Sequence, residues 1–323
     1  MPLFRRAKKV AASADTGLPV PPWCPWFGPA EWQSFLALLN GLFLDGDGSD
    51  QPMRFGAERH LQLGIGSGLP LDLAEIAQLV RPLPREQWRE AAVRHLNALL
   101  ELGDRRVALH AAGFEEVRPL LLPRVVPART VAEDFALVRP MTEDLAVVLV
   151  IRVDGDRSSP VPASQFRSWN VDADEVWAVA ERNLAAEPVT RDDSGAANPM
   201  VSVTCETGFT CTHLLRAGDL LGRPAPLGIL AMVPHEGFLY FQAVDGPDLH
   251  SQLVGYSTVV LDNWEKAPPE QRLSPKVLWI HDGGVEAVGV EPAPPGSGRP
   301  GVITGSASFI AMLSSFRPPD PQP

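Results

Sequence analysis

Cysteine is scarce in this chain: Cys24, Cys205 and Cys211 are the only three in 323 residues. An odd and sparse set does not make a disulfide framework, and it fits a reducing compartment. Long apolar runs are also missing, since none approaches the roughly 18 residues that a membrane span requires. The basic cluster Arg5, Arg6, Lys8 and Lys9 has no apolar stretch behind it. A secretory signal needs that stretch, so the expected location is the cytoplasm, with no membrane insertion. Basic charge is short overall: 28 Lys and Arg stand against 39 Asp and Glu, a net charge of −11. Phosphate neutralisation needs clustered Lys and Arg, so nucleic acid and anionic lipid are not expected partners.

Complete cofactor motifs are lacking as well. Gly64, Gly66 and Gly68 begin a dinucleotide fingerprint, but the third glycine falls on Leu69 or Leu71. No Lys-Ser/Thr pair follows to make a P-loop. Asp45, Asp47 and Ser49 fit the first oxygen ligands of a calcium loop, yet its glycine position is Asp50 and its bidentate glutamate position is Gly56. The first stretch reads as a flexible entry into a helix and the second as a polar surface loop, and no cofactor is expected.

What is present is a globular composition, 45% hydrophobic and 21% charged, enough for a sizeable core in one large domain or two small ones. The strongest signals lie in Leu137–Leu184. Leu145–Val153 is a near-continuous aliphatic run and reads as a central strand buried on both faces. Asp154-Gly155-Asp156 turns the chain, and Val161–Phe166 is expected to return as a partner strand. Asp172 and Glu175 form a capping-box pair, with Val171 and Val176 as a staple, for a helix that continues through Trp177, Ala180 and Leu184 to Pro188.

Around this unit, residues 1–22 read as a disordered basic, Pro-rich tail. A helical part is expected over 23–130, opened by Trp23, Trp26, Phe27 and Trp32, aromatics at a spacing that packs a helix onto a core. Helices are expected at Leu71–Val80 and from Arg85 to Leu102, with Gly103 as the stop and His95 as a hydrogen-bonded core histidine. Pro119–Pro127 is an edge strand or extended crossover because two prolines interrupt it. Arg124 and Arg129 within and after it are expected to be solvated.

Residues 131–290 form the α+β part, taken as one compact unit with the helical part. Strands are expected at Val201–Cys205, Leu227–Val233, Phe238–Val244, Tyr256–Leu261, Val277–Ile280 and Val285–Val290. Pro234–Gly237 and His281–Gly284 are the hairpin links. Residues 291–301 are a linker, 302–316 a C-terminal apolar segment with Phe309, Met312, Leu313 and Phe316 at helical spacing, and 317–323 a tail. The fold class is therefore α+β: mixed, mostly antiparallel sheets, an N-terminal helical part and one well-capped helix packed on the sheet.

The helix pair LDLAEIAQLV…PREQW, the LLPRVVP crossover, the DLAVVLVI strand and the AERNL helix end resemble the YtpQ-type bacterial family of unknown function. The later order HLL, PLGILAMVPH and LSPKVLWI resembles it too. The likeness runs from Leu61 to Val290, and its motifs are structural patterns. It implies a cytoplasmic α+β protein and brings no established activity or site. The aromatic segment before it and the segment after the linker read as additions.

Two chemistries deserve weighing. Cys211 and His213, two residues apart, would share one side of a strand, which allows a thiolate–imidazole pair with His235 or Asp245 coming from the neighbouring hairpin. That is the case for a hydrolase-type enzyme. Cys205, Cys211, His213 and His235 are the candidate metal ligands, although zinc ligands usually come as close pairs separated by two to four residues. Asp154, Asp156, Glu181, Asp192 and Asp193 read as turn and surface residues. The expected role is a non-catalytic adaptor or accessory protein that binds another protein or a peptide, with the Cys211/His213 hydrolase as the alternative. The sequence leaves the oligomeric state open.

Overall fold

The computed structural model describes residues 19–43, 59–62, 70–193, 200–246, 248–291 and 302–316. The partial calcium loop, the glycines at 64–68 and most of the linker lie outside them. The chain divides into two compact units, Met1–Ala108 and Leu109–Pro323.

The first unit is built on aromatics. Helix α1 (Pro29–Phe43) starts at a proline, where the missing N–H has no helical partner to lose, and buries Trp32, Phe35, Leu36 and Leu39. Phe27 stacks on Trp88 at 5.8 Å and meets Phe35 edge-on at 5.6 Å. The short strands β1 (His60–Gln62) and β2 (Pro70–Asp72) pair antiparallel. Asp72 then accepts from the Ala74 N–H at 2.8 Å and from Arg59, capping α2 (Leu73–Val80). Helix α3 covers Arg85–Ala111. Gly103 does not stop it: the glycine is buried inside the helix, and the following DRRVALHA continues it. His95 is half-buried, and its Nε2 lies 3.7 Å from Glu75, beyond hydrogen-bonding distance.

The second unit is α+β, with all strand pairs antiparallel. After α4 (Phe114–Val117) come β3 (Leu121–Pro127), β4 (Val138–Pro140), β5 (Leu145–Asp154) and β6 (Arg157–Pro160). Strand β5 is central, as its sequence requires: Val147, Leu149 and Ile151 enter the main core, while Val148 and Val150 pack against Leu122 and Phe209. Strand β3, with Pro123 and Pro127, is an edge. The expected strand at Val161–Phe166 is instead helix α5 (Ala163–Trp169), which follows Pro162 and ends on Asn170 in the left-handed region. Asn tolerates that conformation, so the helix stops there.

Helix α6 (Ala173–Ala186) is capped by Asp172, whose carboxylate accepts from the Asp174 N–H at 2.8 Å. Next are β7 (Thr190–Asp193), β8 (Val201–Thr204), a 3-10 turn over Thr210–Arg216 and α7 (Ala217–Leu221). Strands β9 (Ile229–Met232) and β10 (Leu239–Ala243) pair as the sequence suggests. The expected strand Tyr256–Leu261 lies inside helix α8 (Leu249–Lys266). Its β-branched residues favour a strand locally, but Leu249, Leu253 and Val260 bury one face at helical spacing and leave Val259 and Leu261 exposed. Tertiary packing overrides propensity here.

Strands β11 (Val277–His281) and β12 (Gly284–Glu291) turn on Asp282-Gly283, both at positive φ, the conformation a two-residue hairpin loop requires. Strand β13 (Val302–Thr304) and α9 (Ala307–Ser315) close the unit, with Phe309 fully buried against Trp279. The sheet order is β13-β12-β11-β9-β10-β8-β7. No helix among the described residues is long and apolar enough to cross a membrane.

Candidate functional site

An edge strand leaves backbone groups in need of partners. On β3, Val125 turns its N–H and C=O away from β5, and the 3-10 turn answers both. Thr212 Oγ1 accepts from the Val125 N–H at 3.2 Å, and the Cys211 thiol points at the Val125 carbonyl oxygen at 4.0 Å. Two side chains thus stand in for a missing neighbour strand. Cys211, Thr212 and His213 are all buried.

This geometry redefines the pair singled out in the sequence. Cys211 and His213 lie on a 3-10 turn, where residues two apart point in different directions, so the strand argument for contact does not hold. No hydrogen bond joins them. Burial pushes the Cys211 thiol up to about 12, and nearby Glu236 adds to the effect. The group is a thiol near neutral pH, while nucleophilic attack needs the thiolate. Burial likewise pushes the His213 imidazole down to about 4, helped by Arg216 and opposed by Glu187. Both His213 ring nitrogens are buried without a hydrogen-bond partner. A neutral imidazole with no hydrogen-bond partner is not placed to take a proton from Cys211.

His235 sits on the β9–β10 link, where Nδ1 accepts from the Gly237 N–H at 3.3 Å and the ring meets Phe238 edge-on at 5.6 Å. Burial lowers its pKa, against the pull of Glu236. It joins neither Cys211 nor His213. Asp245 is held by Arg223 at 3.0 Å. Cys205, half-buried, belongs to a separate chain of contacts: its sulfur lies 2.9 Å from Thr207 Oγ1, which donates to Glu187 at 2.8 Å. Glu187 also receives a two-pronged bond from Arg152 at 2.8 and 2.7 Å. Burial alone would raise the Glu187 pKa, but Arg152 and Thr207 outweigh it and hold the carboxyl below its usual range. Among the described residues no three His, Cys, Asp or Glu side chains converge to hold a metal ion. The structure does not gather Cys205, Cys211 and His213 into a ligand set.

Arg124 is not solvated as expected. It donates to Ser158 at 2.7 Å and pairs with Glu236 at 3.1 Å. Arg124 and Arg152 both lie over the Phe209 ring, at 5.5 and 5.1 Å from its centre. These groups are matched to one another, so they read as a joint between β3, β5 and the 3-10 turn.

The same turn that buries Cys211, His213 and Leu214 leaves its last two residues less covered. Leu215 is 39% exposed, and Arg216 is half-buried. They border an open groove of about 380 Å³. Its apolar part is Pro123, Val147, Trp177 and Leu184, and its charged part is Arg139, Glu181, Arg216 and Asp219. Arg139 lies over the Trp177 ring at 4.3 Å and bonds Glu181 at 2.7 Å. Arg216 Nη1 donates to the Leu184 carbonyl at 3.0 Å, while its Nε is buried without an acceptor. No local sequence pattern signals this groove.

A second cavity, about 490 Å³, lies beside β9, β11 and α9. Its polar groups are already engaged: Trp279 donates to the Leu227 carbonyl at 2.9 Å, His281 stacks on Trp279 at 3.5 Å, and Arg223 holds Asp245. Comparisons of the chain with protein-family models, with curated proteins and with solved structures give no match.

Proposed function

We propose that this chain is a non-catalytic cytoplasmic protein that binds a peptide segment of another protein in the groove beside Leu215 and Arg216. One observation carries the reading: an open groove above the buried Trp177 and Leu184 is rimmed by uncovered Leu215 and by arginines. Peptide- and protein-binding surfaces share that combination of an uncovered aliphatic side chain with neighbouring arginines in a polar rim. A groove of about 380 Å³ suits a short extended segment rather than a folded domain. The resemblance to the YtpQ-type family is compatible with this reading, because that family brings no established activity.

Selection of a random peptide display library on the immobilised full-length chain tests it. Peptides should enrich, bind the soluble chain, and lose binding to Leu215→Glu, while Val107→Glu, an exposed site in the other unit, leaves binding intact. Failure to enrich any peptide, or equal loss with both substitutions, overturns the reading.

A further inference from the structure

The arginines of the second unit differ in how they are used. Arg124 is paired with Glu236, Arg139 with Glu181, Arg152 with Glu187 and Arg223 with Asp245. Arg216, like Arg129 and Arg272, has no carboxylate partner among the described residues, but of these it alone lines the groove. Its one bond, from Nη1 to the Leu184 carbonyl, fixes the guanidinium on the wall of the groove. A charged fork held in place, with donors left over, is complementary to a carboxylate. Because Leu184 already restrains it, little side-chain freedom is lost on binding. Beside it in sequence, Leu215 offers a large aliphatic surface to the same groove.

Asp219 sharpens the selection. It lines the groove three residues beyond Arg216, has no ion-pair partner among the described residues, and would repel a second acid placed next to the first. Glu181 is already committed to Arg139 and contributes no free negative charge.

We propose that the groove takes an extended peptide segment with a single acidic residue beside an aliphatic one. Arg216 anchors the carboxylate, Leu215 covers the aliphatic side chain, and Asp219 rejects a second adjacent acid. This rests on the peptide-binding reading above and names its partner by chemistry.

The test uses fluorescent peptides with common neutral flanks and central Leu-Glu, Glu-Leu, Leu-Gln or Glu-Glu, titrated into the full-length chain at low salt. The better of the two single-acid peptides should bind at least about tenfold tighter than Leu-Gln, the return expected for a bond between charged groups. Arg216→Gln should erase that ratio, and Asp219→Asn should bring Glu-Glu up to the single-acid peptide. An unchanged melting temperature for Arg216→Gln shows that the fold is intact. If the peptides bind but acid and amide bind alike, or if the ratio survives Arg216→Gln, the carboxylate assignment is overturned and peptide binding stands. If no peptide binds, both fall.

Discussion

His213 is a buried base that the fold keeps neutral, and acid should find it. In the unfolded chain an exposed imidazole takes up a proton near its ordinary 6.5, whereas in the folded chain it does so only near about 4. The proton is therefore bound preferentially by the unfolded state. Stability from this group is complete above about pH 6.5 and falls as pH drops toward about 4. The full gap is worth about 3 kcal/mol, and about 2 kcal/mol of it is lost already at about pH 5. Glu187, with a depressed pKa, acts in a lower window: its contribution holds above the ordinary carboxylate range and is lost as pH falls through the depressed value. The depressed pKa of His235 adds an effect of the same sign as that of His213. Comparing the native chain with His213→Phe cancels the His235 effect, and Glu187, held below the usual carboxylate range, changes charge below the pH interval compared. Urea unfolding at about pH 7.5 and about pH 5 should show the native chain losing about 2 kcal/mol more than the variant across that interval. Equal losses in the two proteins, or a His213 imidazole that titrates near 6.5 by NMR, would refute the reasoning.

Thr212→Val keeps the shape and removes the acceptor for the Val125 N–H, so it should cost about 1–3 kcal/mol in urea unfolding, while Thr212→Ser should keep most of it. Iodoacetamide near neutral pH should label Cys205 in the native chain and leave Cys211 and Cys24 unmodified until denaturant is added, since burial holds Cys24 at about 11 and Cys211 at about 12. Rapid native labelling of Cys211 would revive the hydrolase alternative. Asp172→Ala removes the cap of α6 and should cost about 1 kcal/mol. Glu187→Gln removes the charge and one arm of the two-pronged bond to half-buried Arg152 and should cost about 1–3 kcal/mol, with the loss largest near neutral pH.

The polar joint around Phe209 and the groove beside Leu215 come from one short turn used in two ways. Its inward residues close the edge of β3 and its outward residues face solvent. That division explains why residues that looked chemically suggestive turn out enclosed, while the accessible surface falls on neighbours with no catalytic signature.

Much of this protein was legible in the sequence wherever the cause was local. The aliphatic run of β5 reads as a strand buried on both faces, Pro123 and Pro127 confine β3 to an edge, Asp172 starts a helix, and Asp282-Gly283 makes a hairpin loop. These outcomes follow from backbone sterics, hydrogen-bonding groups and hydrophobic period within a few residues of each other. Tertiary structure decided what depends on distant partners. Tyr256–Leu261 became helix because Leu249 and Leu253 supply one buried face with Val260. Arg124 was drawn inward by Ser158 and Glu236, 34 and 112 residues away. Cys211 and Thr212 became edge closures because Val125, 86 and 87 residues before them, needed partners. Which side of the turn would bury Cys211 and His213, and so leave Leu215 and Arg216 outside, was set by where β3 ends up, and no local pattern encodes that.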